Sequence, residues 1–333
     1  MKSTLITLCL LLLVNGAFAQ TPIPAPAPAA APTPPPPATE TVAPNIPGVV
    51  AGGTRVQVVK DGFQGTEGPH GLPDGSLLFT ETAANRITKI APDGTTSTFL
   101  ENTNGSNGLA FDAKGRLYTV QTVAGSTKVG IIYPKGSEAV LADNIDGKPF
   151  NRPNDLTIDR KGGVYFTDFP FQAPAAGSQA PAPAVYYIPA GGNVIKVADG
   201  IDRPNGIQLS KDEKTLYLNN NSEWMIAFDV QPDGTLANQR NFAHYMGLKP
   251  GANGVIASSA DGLTVDNDGR LYAATNVGVQ VFDAKGTHLG TIQLSRAPQN
   301  LAFAGADKKT LYVVGRGAAF KVQMLAQGIK DRK

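Results

Sequence analysis

Asp261-Gly262-Leu263-Thr264-Val265-Asp266-Asn267-Asp268-Gly269-Arg270-Leu271-Tyr272 is the clearest of six related stretches in the chain. It reads as a polar residue, a short apolar run, an Asp/Asn/Gly turn, and a Leu-Tyr pair that opens a second apolar run. Relatives start at Glu67, Asn107, Asn154, Asn205 and Asn300; their second runs open at Leu77-Leu78, Leu117-Tyr118, Val164-Tyr165, Leu216-Tyr217 and Leu311-Tyr312. The starts lie 39 to 56 residues apart. A repeat near the length of a four-stranded blade implies a propeller, and six repeats imply six blades. The expected fold is all-β: a six-bladed β-propeller of four-stranded antiparallel blades. In such a ring the first strand of every blade lines the central channel, so Glu67, Asn107, Asn154, Asn205, Asp261 and Asn300 should face one axis.

Thr54-Arg55-Val56-Gln57-Val58-Val59 alternates as a strand but precedes the first repeat, and the last repeat supplies only three strands before the chain ends. The N-terminal strand is therefore expected to complete the last blade and close the ring, removing two sheet edges. The propeller is placed at 54–326 and a C-terminal tail at 327–333. Two stretches lengthen the repeats, Phe169 to Ala184 and Asn241 to Ala260. Loops of this length are functional or disordered. The second leads directly into Asp261, which makes His244, Tyr245 and Met246 candidates to touch a ligand.

Residues 1–19 read as a secretory signal, with Lys2, an apolar run from Leu5 to Val14, and Ala17-Phe18-Ala19 as a cleavage site. The run is too short to span a membrane. A cytosolic protein with a buried apolar N-terminus is the alternative, disfavoured by the polyproline that follows. Residues 20–53 are assigned to a disordered Pro/Ala-rich linker, because Thr21 to Pro47 holds 11 of the 26 prolines and one charge, Glu40. A spacer is expected there rather than an SH3-type ligand. The expected location is periplasmic or secreted, without membrane insertion. The single cysteine, Cys9, lies in the signal, so disulfide, thiolate-metal and thiol chemistry are excluded from the mature chain. That chain keeps 28 Lys+Arg against 27 Asp+Glu; near-neutral charge gives no electrostatic case for nucleic acid. A monomer is expected.

No Gly-x-Ser-x-Gly, His-Glu-x-x-His or phosphate-binding Gly-rich motif is present, and His70, His244 and His288 are too dispersed for a zinc site. Oxygen chemistry on the axis remains. Two carboxylates, Glu67 and Asp261, with the carboxamides of Asn154 and Asn205, suit one divalent cation, Ca²⁺ first, with Mg²⁺, Mn²⁺ or Zn²⁺ as alternatives. The competing reading is that Asn-Gly and Asp-Gly mark ordinary hairpin turns.

Glu67-Gly68-Pro69, Asn151-Arg152-Pro153-Asn154-Asp155 with Tyr165-Phe166-Thr167-Asp168, Arg203-Pro204-Asn205-Gly206 and Asp261-Gly262 resemble the signature segments of the SMP-30/gluconolactonase family, over about 62–322. The resemblance implies a six-bladed propeller, one divalent metal in the channel, and hydrolysis of sugar lactones. It implies Glu67, Asn205 and Asp261 as metal ligands, Asn154 at the metal or substrate edge, Asp261 as general base, and Arg152 as a substrate contact. Asn107, His70 and Asn300 are further candidates to contact a small lactone. His70 departs from the aromatic that bacterial members often carry there. Two alternatives stand beside this reading. One is a non-catalytic, metal-stabilised propeller acting as a cell-envelope binding module; the other is a hydrolase of a different ester, a non-sugar lactone or a phosphotriester.

Overall fold

The computed structural model describes residues 36–170, 181–251 and 254–330. The ring begins with strands Thr66–Gly71, Ser106–Phe111, Pro153–Ile158, Ile207–Leu209, Leu263–Val265 and Asn300–Ala304, one for each of six antiparallel blades. Neighbouring first strands touch all the way round, the last returning to the first. They form the channel wall, as the repeats require.

The sequence pattern follows from this arrangement. Second strands such as Leu77–Glu81, Leu117–Gln121, Val164–Asp168 and Leu271–Thr275 are buried throughout. Covered on both faces, they read as continuous apolar runs rather than alternating ones. The described core divides into six apolar clusters, each lying between two adjacent blades. The turns joining first and second strands are built by aspartate. Asp266 Oδ1 accepts from the backbone N–H of Asp268 and Arg270, each at 2.9 Å. Its other oxygen accepts from Tyr272 Oη, also at 2.9 Å. One carboxylate thus explains both the Asp-x-x-Gly turn and the Tyr that follows it.

The last blade has the strand order Thr41–Val42, Arg55–Asp61, Ala318–Gln323, Thr310–Gly315, Asn300–Ala304. Val56 pairs with Val322 and Gln57 with Lys321, antiparallel. The N-terminal strand closes the ring as expected, and a further strand lies outside it.

That outer strand corrects the linker boundary. Residues 38–53 are packed onto the propeller: Ala43, Ile46, Val49 and Val50 are buried in the cluster between the last two blades, with Tyr272, Phe303 and Val322. Val49 O accepts from the N–H groups of Leu325 and Ala326, at 2.9 and 3.1 Å. The prolines concentrate before residue 38, whereas 42–50 carry enough Val and Ile to gain from burial. The C-terminal tail is likewise docked as far as it is described. Gln327 O accepts from Asn267 N (2.7 Å), and Gly328 N donates to Lys308 O (2.8 Å). The signal and the first part of the linker lie outside the described residues. No helix among the described residues is long and apolar enough to cross a membrane.

Candidate functional site

Six polar side chains converge where the first strands begin. Asn300, from the last blade, donates one Nδ2 to Glu67 Oε2 of the first blade and to Asp155 Oδ2 of the third, both at 3.4 Å. Glu67 also accepts from Gln299 Nε2 at 3.2 Å. Blades on opposite sides of the ring therefore meet at one point. Glu67, Asn107, Asn154 and Asn300 are buried, and Asn205 and Asp261 are half-buried.

The Asn-Gly and Asp-Gly pairs are not hairpin turns. A Cβ at Gly68, whose φ is 48°, would overlap Asn107 O of the next blade, and one at Gly262 would overlap the Asn300 carboxamide. Glycine follows the axial residue so that the next blade's first strand can come close. This close approach brings the polar side chains within reach of one another.

Several of these groups lack partners. Asp261 Oδ1, Asn205 Oδ1 and both amide atoms of Asn107 are buried without a hydrogen bond. Orphaned buried oxygens are costly and call for a ligand. Burial, together with the charges of Glu67 and Asp155, pushes the Asp261 carboxyl well above the usual range. Burial also raises Glu67. Asp155 is pushed up to about 7 by burial, reinforced by Glu67. The donor set, two unpartnered oxygens among three carboxylates and several carboxamides, fits a hard divalent cation. Among the described residues no cluster built from His, Cys, Asp and Glu alone has metal-binding geometry; any site here is mixed carboxylate and carboxamide.

Two residues not singled out as site groups hold this set in place. Asn219, fully buried, donates through Nδ2 to Asp261 O (2.7 Å) and Gly262 O (3.0 Å), while its own backbone O accepts from Asn205 N (2.9 Å). Asp168, also fully buried, accepts from Asn151 N (2.9 Å), Asn151 Nδ2 (2.8 Å) and Arg152 N (2.7 Å). It fixes the backbone that presents Arg152 and Asn154. The Asn219-Asn220 and Thr167-Asp168 endings of second strands were the available signal, since a polar side chain closing a buried run must have a partner.

The remaining expectations divide. Arg152 is half-buried, and its charge acts on Glu67 and Asp261. His70 lies three residues further along its strand than Glu67, its ring 5.1 Å from Phe111, lining a channel cavity of about 790 Å³ that also reaches Asp155 and Asn300. Burial and Lys308 lower its pKa to about 4. Asn241 to His244 belong to a strand, Leu236–His244, so the connecting loop is shorter than expected. Tyr245 is buried and donates Oη to Asn219 Oδ1 (2.7 Å); it is an anchor rather than a ligand contact. His244 and Met246 are exposed at the same end. Most of the Phe169 to Ala184 stretch lies outside the described residues.

A family profile described as "SMP-30/Gluconolactonase/LRE-like region" matches residues 65–316. The chain belongs to this family. Gluconolactonase of Zymomonas mobilis is 28% identical over 299 residues, covering 81% of this chain and 82% of that protein. Lactonohydrolase oryL of Aspergillus oryzae is 27% identical over 260 residues, covering 69% of this chain and 55% of the fungal one. Among solved structures, a gluconolactonase of Xanthomonas campestris superposes with a TM-score of 0.73 at 28% identity, covering 88% of this chain and 99% of the other. A calcium-binding regucalcin of Agrobacterium tumefaciens shares the fold, with a TM-score of 0.69 at 18% identity. The SMP-30/gluconolactonase match spans every axial residue of this chain.

Proposed function

We propose that the protein hydrolyses lactones, with a divalent cation, Ca²⁺ first, held at the head of the channel by Glu67, Asn205 and Asp261 and with Asn154 beside it. The observation that carries this reading is the pair of orphaned oxygens, Asp261 Oδ1 and Asn205 Oδ1, beside Glu67 on the axis. The lactone-hydrolysing names of the Zymomonas and Xanthomonas relatives support it, and the calcium-binding neighbour supports the ion. A bound cation supplies a Lewis acid for the lactone carbonyl.

The chain's own groups do the rest. Asp261 accepts a proton from the attacking water. The water oxygen bonds to the acyl carbon, the ring C–O bond breaks, and the ring oxygen leaves as a hydroxyl that has taken up a proton. The new carboxylic acid then ionises and releases one proton. Arg152 orients substrate oxygens, and the Asn107 amide offers a donor and an acceptor to a ligand. One ring carries every group, so a single chain suffices.

Acid release from D-glucono-δ-lactone, above the spontaneous rate, tests this with metal-stripped and Ca²⁺-refilled protein. Restored turnover that Asp261→Asn lowers by roughly 10³-fold or more is the expected result. An unchanged rate in that variant would remove Asp261 from the mechanism. The leader-like residues 1–19 further support export of the enzyme; a mature N-terminus still beginning at Met1 in the producing cell would contradict it.

A further inference from the structure

Three arginines stand at the end of the ring where the axial residues lie. Arg152 and Arg203 each precede an axial asparagine, Asn154 and Asn205, by two residues. Arg316 sits in the tight turn between Thr310–Gly315 and Ala318–Gln323. Its N–H donates to Gln299 Oε1 at 2.7 Å, and the same carboxamide holds Glu67. Arg203 and Arg316 are exposed at the rim, and Arg152 is half-buried beneath. The Arg203 guanidinium lies 5.1 Å from the Phe169 ring centroid, which restrains it from below.

Both rim arginines hold a backbone conformation that favours Gly or Asn, with φ of 50° and 49°. This costs about 1 kcal/mol or more at each. Gly315 and Gly317 flank Arg316, so glycine is used in that turn, yet a guanidinium occupies its tip. A strained residue that is kept where a smaller one would sit more easily points to work at the tip.

Ion pairing gives the direction. Glu67, Asp155 and Asp261 equal the three arginines in number, yet no ion pair among the described residues uses Arg203 or Arg316. The other acids at this end are occupied. Asp168 is buried on backbone N–H groups, Asp61 pairs with Arg296 (3.3 Å), and Glu223 lies 4.0 Å from His244. Asp202 accepts from Asn221 Nδ2 at 3.2 Å. A neutral sugar lactone offers neither rim guanidinium a counter-charge.

We propose that the preferred substrate is an anionic lactone, one bearing a carboxylate or a phosphate on the carbon remote from the ring carbonyl, with that anion held by Arg203 and Arg316 at the rim. This rests on the lactone-hydrolase reading and deepens it. Guanidinium forks bind either anion in a bidentate manner. Hydrolysis adds one further negative charge to the product.

The test compares kcat/KM of the Ca²⁺-loaded full chain on D-glucono-δ-lactone with its 6-carboxylate and 6-phosphate derivatives. At least one derivative should exceed the parent by about tenfold. The better derivative identifies the anion. The advantage should shrink as ionic strength rises from about 0.01 to about 1 M. In Arg203→Asn and Arg316→Asn, whose new side chain tolerates positive φ, the anionic-to-neutral ratio should fall by about tenfold. Equal rates on all three lactones, or variants that leave the ratio untouched, would overturn the proposal while leaving the lactonase intact. Calorimetric binding of gluconate, glucarate and 6-phosphogluconate to the Ca²⁺-loaded protein needs no turnover. Tighter binding of glucarate or 6-phosphogluconate than of gluconate, without hydrolysis of any lactone, would keep the anion site and remove the lactonase reading.

Discussion

Asn219 joins two axial positions from adjacent blades, Asn205 through its backbone O and Asp261 through its side chain. Replacing it with alanine removes one of two donors from each of Asp261 O and Gly262 O, which keep Gly206 N and Ala274 N, and leaves the buried Tyr245 Oη without its acceptor, a loss of about 2 kcal/mol. Asn219→Ala should therefore lower the melting temperature and weaken Ca²⁺ binding measured by calorimetry. Tyr245→Phe, which removes one bond and keeps the strut, should cost about 1 kcal/mol and leave binding nearly intact. Equal Ca²⁺ affinity in wild type and Asn219→Ala would show that the strut does not position the ligands. His70 gives a separate, pH-dependent prediction. Its pKa is about 4 in the folded ring against the ordinary histidine value of 6.5, so the unfolded chain binds the extra proton between those values. The neutral ring's contribution is complete above pH ~6.5 and is lost as pH falls toward 4. Chemical denaturation of His70→Phe across that window should show a flatter decline than wild type; parallel curves would refute the assignment. At this scale the axial residues were legible because they recur in register. Asp168 and Asn219 were harder to read, because each acts through backbone groups that no motif records.

Blades were legible because the same physical device is written repeatedly: Asp266 and its equivalents shape a turn, and the apolar run after it is covered on both faces. Residues 38–53 were not, since proline counts over a window hide the four apolar side chains that matter. Burial of Ile46, Val49 and Val50 supports a concrete expectation. A chain starting at residue 37 should melt as the full chain does. One starting at residue 54 keeps Arg55–Asp61 but should lose several kcal/mol, at about 1.5–3 kcal/mol for each buried Val or Ile. Indistinguishable melting curves for the two truncations would return this segment to the linker. The length of the connection after Leu236–His244 was overestimated for a related reason. Asn241 to His244 carry no clear alternation, and their strand pairing with Trp224 and Met225 is set by the partner strand.

At the scale of the molecule, the ring concentrates carboxylates that repel one another until a cation is present. Burial raises the pKa of each of Glu67, Asp155 and Asp261. Ca²⁺ at 100 times its dissociation constant should stabilise the fold by about 2.7 kcal/mol. This would be read as a rise in melting temperature that chelator reverses. No change in melting temperature across a Ca²⁺ titration would argue against a site at the channel head.

The seam of the ring also sets an order of events in the cell. Val56 must wait for Val322, which leaves the ribosome more than two hundred residues later. Until then the nascent chain holds one unpartnered strand at its front and a growing row of blades with an open edge behind it. The circle cannot be sealed by a partial product, so a chain cut short anywhere before its last strands carries both raw edges and is a natural target for proteolysis.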